Sequence, residues 1–449
     1  MNENHPITGF AGNFIIFGAC GNLATEKIYP ALFALFKKDI FYHYLGYGRT
    51  KINDPAFKKL VQKSILKAEN NVDNKKLNNF LRLFCYTSGE YNQKGLKKLK
   101  KNLKSNSNIF YLAVPSFDQL IRDIFNGLQN NYLINPQTKV VIEKPFGSDY
   151  HSAQKINHLL RKFLKEEQIY RIDHYLSRDL IRDFIALRFA NPIFETVLNN
   201  HHVEGIRIEI NEEIGIKNRG EFYDRTGAVR DMIQNHGLQL LALITMSRPK
   251  DLRAQNFRQE KSRILSKLRL FNNDYRKTIE IGQYGGYREE KFVDSQSLTE
   301  TYAKIVSEVV NKRWKGVPIH LITGKKMRKK LTEVTILFKK ESDKCLWREK
   351  GCVLDSNELI FNIYPRNDIR LKINSEFQRT NNCPRSIFLR FSFSDNPALL
   401  KRPYENSLLD LYRGDQSTFL SSKEILLSWK FIDPILEWIK QSKRVLKFY

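Results

Sequence analysis

One stretch near the N-terminus restricts the folds open to this chain more than any other. Residues 13–17 have the apolar character of a short buried strand, and glycines follow at positions 18 and 21. Residues 23–36 then show helical periodicity, and residues 42–47 read as a second apolar strand. A strand, a glycine turn, a helix and a second strand in this order predict a βαβ unit, which opens a dinucleotide-binding fold.

The rest of the chain shows two patterns, and a length of 449 residues also favours two domains. Up to residue 175, strands at 109–114 and 139–142 flank a helix at 117–128, and this alternation predicts a parallel sheet. The later elements are strands at 205–210, 333–338, 359–364, 369–373 and 387–393, and helices at 228–246, 407–412 and 423–440. We therefore predict an α/β Rossmann-type dinucleotide-binding domain at 1–175. A larger α+β domain with a mainly antiparallel sheet is predicted at 176–449. The polar segment 69–79 is predicted to be a surface connection.

Composition argues against several classes of protein. No apolar run approaches the roughly 18 residues of a membrane span, and residues 1–8 lack the features of a signal peptide. The five cysteines are odd in number and scattered, which predicts a reducing cytoplasm and argues against a disulfide framework or a zinc site. The net charge of +27 would suit nucleic acid, an anionic membrane or an anionic substrate. Because the excess is spread along the chain, we predict neither a nucleic-acid nor a membrane partner.

The glycine turn after the first strand is the candidate cofactor site. It reads GxxGxxA, which places small residues where the backbone passes close to a pyrophosphate and where the helix packs on the strand. The residues predicted to bind the cofactor here are Gly18, Ala19, Gly21, Asn22 and Leu23. A glycine turn is also compatible with a tight turn alone, but its place at the first strand-to-helix crossover favours the cofactor.

The end of the second strand indicates which dinucleotide is bound. An acidic side chain there would accept hydrogen bonds from a ribose 2′-hydroxyl, but residues 46–51 read GYGRTK, without an acid. The forked guanidinium of Arg49 matches a 2′-phosphate. We therefore predict NADP rather than NAD, and the alternative is that Arg49 is an ordinary surface arginine.

The strand at 139–142 ends in Glu143, Lys144 and Pro145. The carboxyl ends of strands are where an open α/β sheet collects its ligand groups. Lys144 is therefore predicted to reach both cofactor and substrate. The alternative is a structural role, with Glu143 in an ion pair. The Lys144-Pro145 bond is compatible with either isomer.

Two polar clusters are candidates for the chemistry. Residues 171–179 read RIDHYLSRD after a short strand, and Ser177 is the predicted N-cap of a helix at 178–188. Polar groups at such a junction converge on a ligand phosphate, helped by the helix N-terminus. Further on, Asp231 and His236 lie in the predicted helix 228–246. His236 shares a stripe with apolar residues, which is typical of a buried core histidine, so its role stays open on this pattern alone.

Ten segments resemble the glucose-6-phosphate dehydrogenase family, in the family's order and spacing and along nearly the whole chain. They are GACGNLATEKIYPAL, GYGRT, YLAVP, VIEKPFG, YRIDHYLSRD, LRFANPIFE, NRGEFYD, RDMIQNH, RWKGVP and ITGKK. The resemblance implies oxidation of glucose 6-phosphate at C1 to 6-phosphogluconolactone, with NADP as hydride acceptor, in the oxidative pentose phosphate pathway. It also implies a homodimer or homotetramer assembled through the large sheet.

The resemblance implies a role for each matching residue. His236 is expected to be the general base, and Asp173 is expected to hold its imidazole and stabilise the charged form. Histidine suits this task because its ordinary pKa lies close to cytoplasmic pH. The residues expected around the substrate are Lys144, His174, Tyr175, Arg178, Glu212, Asp231, Lys325 and Lys330, with Lys27 nearby. Of these, His174 and Tyr175 would bind the phosphate, and Glu212 and Asp231 would accept hydrogen bonds from sugar hydroxyls.

Several positions depart from the family pattern. The family reads RIDHYLGKE, and Arg178 takes the place of its lysine, which keeps the charge on a longer, planar and forked side chain. Cys20 and Asn22 replace serine and aspartate in the glycine turn, and Gly237 follows the expected base. Two alternatives remain: another sugar or inositol oxidoreductase of similar plan, and a low-activity or inactive basic scaffold.

Overall fold

The computed structural model describes residues 11–114, 118–340, 346–347, 351–376, 383–392, 402–442 and 446–449. Residues 1–8, 115, 117 and 393, on which parts of the predictions depend, lie outside these ranges. The chain forms two compact units. Unit 1 comprises Met1–Ser177, Arg253–Gln255 and Arg402–Ser422, and unit 2 comprises Arg178–Leu252, Asn256–Lys401 and Lys423–Tyr449. The predicted boundary after residue 175 stays a prediction.

The regular elements are labelled in chain order. The strands are β1 Asn13–Phe17, β2 His43–Gly48, β3 Phe84–Ser88, β4 Asn108–Leu112, β5 Lys139–Ile142, β6 Ile169–Ile172, β7 Val203–Asn211, β8 Leu268–Leu270, β9 Ile279–Gln283, β10 Tyr302–Val309, β11 Ile319–Gly324, β12 Leu331–Phe338, β13 Glu358–Tyr364, β14 Asp368–Ser375, β15 Arg385–Ser392, β16 Phe419–Leu420 and β17 Lys447–Phe448. The α-helices are α1 Tyr29–Phe36, α2 Asp54–Ala68, α3 Asn74–Arg82, α4 Gln93–Leu96, α5 Asp118–Asn130, α6 Tyr150–Arg161, α7 Asp179–Ala190, α8 Pro192–Val197, α9 Gly220–Ala228, α10 Leu238–Thr245, α11 Ala254–Ser266, α12 Tyr275–Thr278, α13 Pro403–Arg413 and α14 Ser422–Gln441. Two π-helical segments, Ala24–Ile28 and Val229–Gly237, precede α1 and α10. Short 3₁₀ turns lie at Lys97–Asn102, Glu166–Gln168, Lys217–Arg219, Phe271–Asn273 and Tyr287–Glu289.

Unit 1 is built on a sheet in the order β16-β6-β5-β4-β1-β2-β3. Strands β1 to β6 pair in parallel, and the short β16 pairs antiparallel with β6. Alternate side chains of β1 enter different apolar layers: Phe14 and Ile16 pack in one, and Ile15 and Phe17 in the other. Both faces of the sheet are therefore buried, as parallel sheets require. The predicted Rossmann-type fold is confirmed.

Unit 2 is built on a larger sheet in the order β15-β14-β13-β12-β7-β11-β10-β9-β17, with β8 beside β10. Most of its neighbours are antiparallel, whereas β7 with β11 and β9 with β17 are parallel. In β10, buried and half-buried side chains alternate strictly along the strand. One face of this strand is thus the more deeply packed, which is the usual arrangement in antiparallel sheets. The prediction of a mainly antiparallel second sheet is confirmed.

The predicted surface connection at 69–79 was wrong, because α3 begins at Asn74. Asp73 caps this helix by accepting hydrogen bonds from the amides of Lys75 and Lys76. Leu77 and Phe80 are its buried residues. A helix that packs through a single narrow stripe requires few apolar residues, so its sequence resembled a loop.

One disulfide bond was not foreseen by the prediction of scattered cysteines without a disulfide framework. Cys352 and Cys383 form a disulfide bond across a separation of 31 residues. Wide spacing and an odd total gave no signal for this pair, whose cysteines lie on either side of β13 and β14 in the chain. Among the described residues, no helix combines the length and apolar character needed to cross a membrane.

Candidate active site

The glycine turn at the carboxyl end of β1 requires a glycine at its first position. Gly18 has a φ of +75°, and a Cβ there would lie 2.3 Å from the carbonyl oxygen of Ala113. The amides of Gly18 and Ala19 donate to the Tyr47 carbonyl at 2.9 and 3.3 Å, and the Gly21 amide donates to the Gly18 carbonyl at 2.9 Å. The turn is therefore fixed against the ends of neighbouring strands, and its two glycines carry no side chain that would keep a phosphate away.

The same turn leads directly into the π-helical segment Ala24–Ile28, which continues as α1. Asn22 is exposed and Leu23 half-buried where the helix begins. The Tyr29 hydroxyl donates to the Ala19 carbonyl at 2.5 Å from the interior. The residues predicted to bind the cofactor phosphates thus lie together at a helix N-terminus, which favours an anion.

Arg49 follows the last residue of β2 and is exposed. The carbonyl of Tyr47, two residues earlier, receives the two amides of the glycine turn. Arg49 is therefore close in the chain to the point where the turn is anchored. This position is compatible with contact to a 2′-phosphate of a nucleotide bound at the turn.

At the carboxyl end of β5, a carboxyl group is held by tyrosines. The Tyr111 hydroxyl donates to Glu143 Oε1 at 2.5 Å. Burial is the main cause that raises the pKa of Glu143 to about 7, and hydrogen bonds from Tyr111 and Tyr404 oppose the rise. Lys144 is half-buried, and the bond between Lys144 and Pro145 is cis.

The segment after β6 carries the predicted phosphate-binding residues. Asp173 is buried, and its Oδ1 accepts a hydrogen bond from the Tyr175 amide at 2.9 Å. The rings of His174 and Tyr175 are 5.0 Å apart. The prediction that Ser177 caps the next helix was wrong, because Arg178 is the N-cap of α7. The Ser177 hydroxyl instead accepts a hydrogen bond from Ser407 at 2.7 Å.

In unit 2, His236 lies in the π-helical segment Val229–Gly237 rather than in a regular α-helix. The imidazole is buried, and Asn235 Oδ1 accepts a hydrogen bond from the His236 amide at 2.6 Å. Glu300 receives the Val229 amide at 3.1 Å, which fixes the start of the segment. In π-helical geometry, residues five apart are hydrogen-bonded neighbours, so Asp231 and His236 share a face.

The carboxylates predicted to face the substrate converge on one buried lysine. Lys325 Nζ lies 3.2 Å from Asp231 Oδ2 and forms a second ion pair with Glu212. The ring of Tyr223 lies beneath the same ammonium at 5.1 Å, and the Tyr449 hydroxyl donates to the Lys325 carbonyl at 2.7 Å. A cation with two carboxylates makes a polar group of the kind that can order sugar hydroxyls.

The other predicted cations differ in exposure. Lys330 is exposed, and its ammonium lies 4.3 Å from the centre of the Tyr364 ring. Arg178 is partly buried at the start of α7. Lys27 is exposed on the π-helical segment that precedes α1.

Sequence reasoning missed the tyrosines that surround these groups. Tyr111 and Tyr404 bond Glu143 in unit 1, and Tyr223 and Tyr449 surround Lys325 in unit 2. Tyrosines are frequent in the chain, 20 in all, so none of the four was distinguished by its type. Two signals were available: Tyr111 and Tyr223 lie in the segments YLAVP and NRGEFYD that resemble the family, and the strand of Tyr111 pairs with the strand that precedes Glu143.

The fold and these groups define a class of protein. A parallel sheet with a glycine turn and no acid after β2 forms a dinucleotide-binding unit. A second unit carries a buried imidazole on the same face as Asp231, itself paired with a lysine. Together they describe a nucleotide-dependent oxidoreductase that acts on a hydroxyl group.

The particular family follows from comparison with known sequences. Residues 15–183 match the family described as "Glucose-6-phosphate dehydrogenase, NAD binding domain", and residues 185–449 match "Glucose-6-phosphate dehydrogenase, C-terminal domain". The chain therefore belongs to the glucose-6-phosphate dehydrogenase family.

Individual proteins agree along their whole length. The glucose-6-phosphate 1-dehydrogenase of Borreliella burgdorferi is 36% identical over 94% of this chain and 91% of its own. A solved glucose-6-phosphate dehydrogenase in complex with its substrate glucose 6-phosphate superposes with a TM-score of 0.90 at 29% identity, covering 98% of this chain and 94% of the other. The enzyme from Mycobacterium avium gives a TM-score of 0.87 at 28% identity, covering 98% and 93%.

Proposed function

We propose that this chain oxidises glucose 6-phosphate at C1 to 6-phosphogluconolactone, with His236 as the general base and NADP as the hydride acceptor. The observation that carries the residue assignment is in unit 2. A buried imidazole shares a π-helical face with Asp231, and Asp231 pairs with the buried Lys325. A base for a sugar hydroxyl and acceptors for neighbouring hydroxyls are thus arranged on one element.

The proposed chemistry of His236 is a single proton transfer. The imidazole takes the proton of the C1 hydroxyl as the C–H electron pair leaves as hydride, and C1 becomes the lactone carbonyl. The bound nicotinamide supplies the hydride acceptor. For Asp173, the resemblance implies the role of carboxylate partner to His236, and this role stays a prediction.

We further propose that the cations and polar groups divide the substrate between them. His174 and Tyr175 are assigned to the phosphate, together with the positive charges of Lys144, Arg178 and Lys330. Lys325, Glu212 and Asp231 are assigned to the sugar hydroxyls, supported by their mutual ion pairs. Charge-assisted hydrogen bonds of this kind are the stronger ones and fix orientation.

NADP is proposed over NAD on the basis of Arg49. Its exposed guanidinium follows a strand that ends without an acid, and a forked cation suits a 2′-phosphate.

The proposed assembly is a homodimer or homotetramer in the cytoplasm. It is supported by the exposed apolar side chains of Phe388 and Phe391 on β15, and sedimentation equilibrium would test it.

The enzyme assay follows NADPH formation by absorbance with glucose 6-phosphate, glucose and inositol. We expect turnover with the phosphorylated sugar and much less with the other two. Turnover with inositol alone would favour another sugar oxidoreductase, and cofactor binding without turnover would favour an inactive scaffold.

A matched pair of variants tests the base. His236→Asn should lower kcat by about 10²–10⁴, the range for loss of a general base, with a smaller change in KM. His201→Asn removes an exposed histidine of the same unit and should leave kcat unchanged. An active His236→Asn enzyme would contradict the assignment.

A further inference from the structure

A partly buried hydrogen-bond set in unit 1 joins the end of β5 to the returning helix α13. The Tyr111 hydroxyl, from β4, donates to Glu143 Oε1 at 2.5 Å. Tyr404, in the first turn of α13, bonds the same carboxyl group. Glu143 is therefore bonded by two phenol groups that reach it from different elements.

Tyr404 also contacts a residue assigned to the phosphate. Its ring is stacked on the imidazole of His174, with the ring centres 6.4 Å apart and an angle of 15° between their planes. One tyrosine thus touches Glu143 through its hydroxyl and His174 through its ring. The carboxyl group and the imidazole are therefore joined by one side chain.

Helix α13 is held in place independently of Glu143. Asn406 Nδ2 donates to the Ser177 carbonyl at 2.8 Å, and the Ser407 hydroxyl donates to Ser177 Oγ at 2.7 Å. Lys38 forms an ion pair with Glu405. Because these contacts anchor the helix, a substitution of Glu143 is expected to alter the local set rather than to detach α13.

The groups that act on Glu143 come from four elements. Burial and the negative charge of Asp173, which follows β6, raise its pKa. The hydroxyls of Tyr111 and Tyr404 and the charge of Lys144 lower it. The resulting pKa is about 7, against an ordinary value of 4.5. The carboxyl group therefore changes charge within the range in which an enzyme is assayed, beside the residues assigned to the substrate phosphate.

We propose that Glu143 is a positioning residue that sets the affinity of the phosphate pocket: in either form its carboxyl group holds Tyr404 against His174, and as a carboxylate it also places a negative charge beside Asp173 that repels the phosphate. The inference rests on the proposed function, in which His174, Tyr175 and Lys144 bind that phosphate. The direction follows from the sign of the added charge, and the pKa of about 7 sets the pH at which the change occurs. Below about pH 7 the group is neutral and binding is favoured, and above it the added charge weakens binding.

The test is the pH dependence of KM for glucose 6-phosphate in the wild type and in Glu143→Gln. The amide keeps the shape and hydrogen bonds of the neutral acid but cannot ionise. When the wild-type KM is divided by the variant KM, the titration of the substrate phosphate cancels, as does that of every other group that the two proteins share. This ratio should be constant below about pH 6 and rise by about three- to tenfold by about pH 8.5, the effect of one nearby charge at an intermediate dielectric constant.

Two further variants complete the design. Glu167→Gln makes the same substitution at an exposed glutamate of unit 1 and should give a flat ratio. Tyr404→Phe keeps the ring on His174 but removes a hydrogen bond that lowers the pKa of Glu143, so the wild-type rise should move to higher pH. The Tyr404→Phe variant still tests the proposal if Glu143→Gln does not fold.

The outcomes separate the inference from the function on which it rests. Turnover with a flat ratio in Glu143→Gln, or an unmoved transition in Tyr404→Phe, would overturn the role of Glu143 and leave the proposed function standing. A wild-type protein that does not oxidise glucose 6-phosphate at any pH would overturn both.

Discussion

Gly18→Ala tests whether the glycine turn needs its first glycine for conformation alone or also for space. Gly414 offers a matched control within unit 1, because its φ is +74° and that of Gly18 is +75°. A Cβ at Gly18 would lie 2.3 Å from the Ala113 carbonyl oxygen, whereas the nearest atom at Gly414 is Lys139 Nζ at 3.9 Å. The two substitutions therefore share the backbone strain and differ in steric overlap.

The expected losses follow from these geometries. A left-handed alanine is strained by roughly 1–2 kcal/mol, and the reduced freedom of the unfolded chain offsets about 0.4–1 kcal/mol. Gly414→Ala should thus lower the free energy of unfolding by about 1 kcal/mol. In Gly18→Ala the overlapping atom belongs to the backbone and cannot rotate away. The forced shift adds about 1–3 kcal/mol, for a total of roughly 2–4 kcal/mol.

Urea unfolding followed by circular dichroism measures both losses, and calorimetric titration with NADP measures the effect on the site. A displaced turn should weaken cofactor binding at least about tenfold, equivalent to about 1.4 kcal/mol, whereas Gly414→Ala should bind NADP as the wild type does. If Gly18→Ala is no less stable than Gly414→Ala and binds NADP equally well, the steric argument for the turn is incorrect.

Three other predictions rest on single contacts. Arg49→Ala should raise KM for NADP about tenfold or more while leaving KM for NAD nearly unchanged; an unaltered preference for NADP would refute the 2′-phosphate role. Lys325→Met should raise KM for glucose 6-phosphate and destabilise the fold by roughly 2–3 kcal/mol, since two carboxylates lose their cation. Lys326→Met, at the exposed neighbouring lysine, should change neither KM nor stability. Lys261→Met breaks a fully buried ion pair with Glu424 and should lower the free energy of unfolding by about 3–5 kcal/mol. The double variant with Glu424→Leu should recover most of this loss, and urea unfolding of the single and double variants measures both values.

The features predicted correctly are those in which the chemistry is local in the sequence. The glycine turn between β1 and α1 needed only residues 18–24 and the apolar strands on each side. The same holds for the class of each sheet, because strands that alternate with helices give parallel order and consecutive strands give antiparallel order. The short helix α3 was not predicted, because its two buried side chains, Leu77 and Phe80, give too weak a hydrophobic periodicity to detect.

The π-helical segment around His236 could not have been predicted from periodicity. The hydrogen-bond spacing changes by one residue, and the looser winding that results is too small a change to separate from α-helical spacing over nine residues. Its consequence is nevertheless large, since it brings Asp231, five residues before His236, onto the same face. The stripe that suggested a core histidine is present as well, because Met232, His236 and Leu240 are all buried.

The return of residues 402–422 to unit 1 is the feature furthest from sequence reasoning. Glu143 could be recognised as a polar residue at a strand end, with an ion pair to an unidentified cation as the alternative to a functional role. The structure adds tyrosines that the sequence did not indicate, one of them, Tyr404, from a helix far along the chain. A cation would have kept the carboxyl group charged, whereas phenol groups bond either form and leave burial to raise its pKa. The identity of a distant partner thus decides whether this strand end carries a fixed charge or a titrating one.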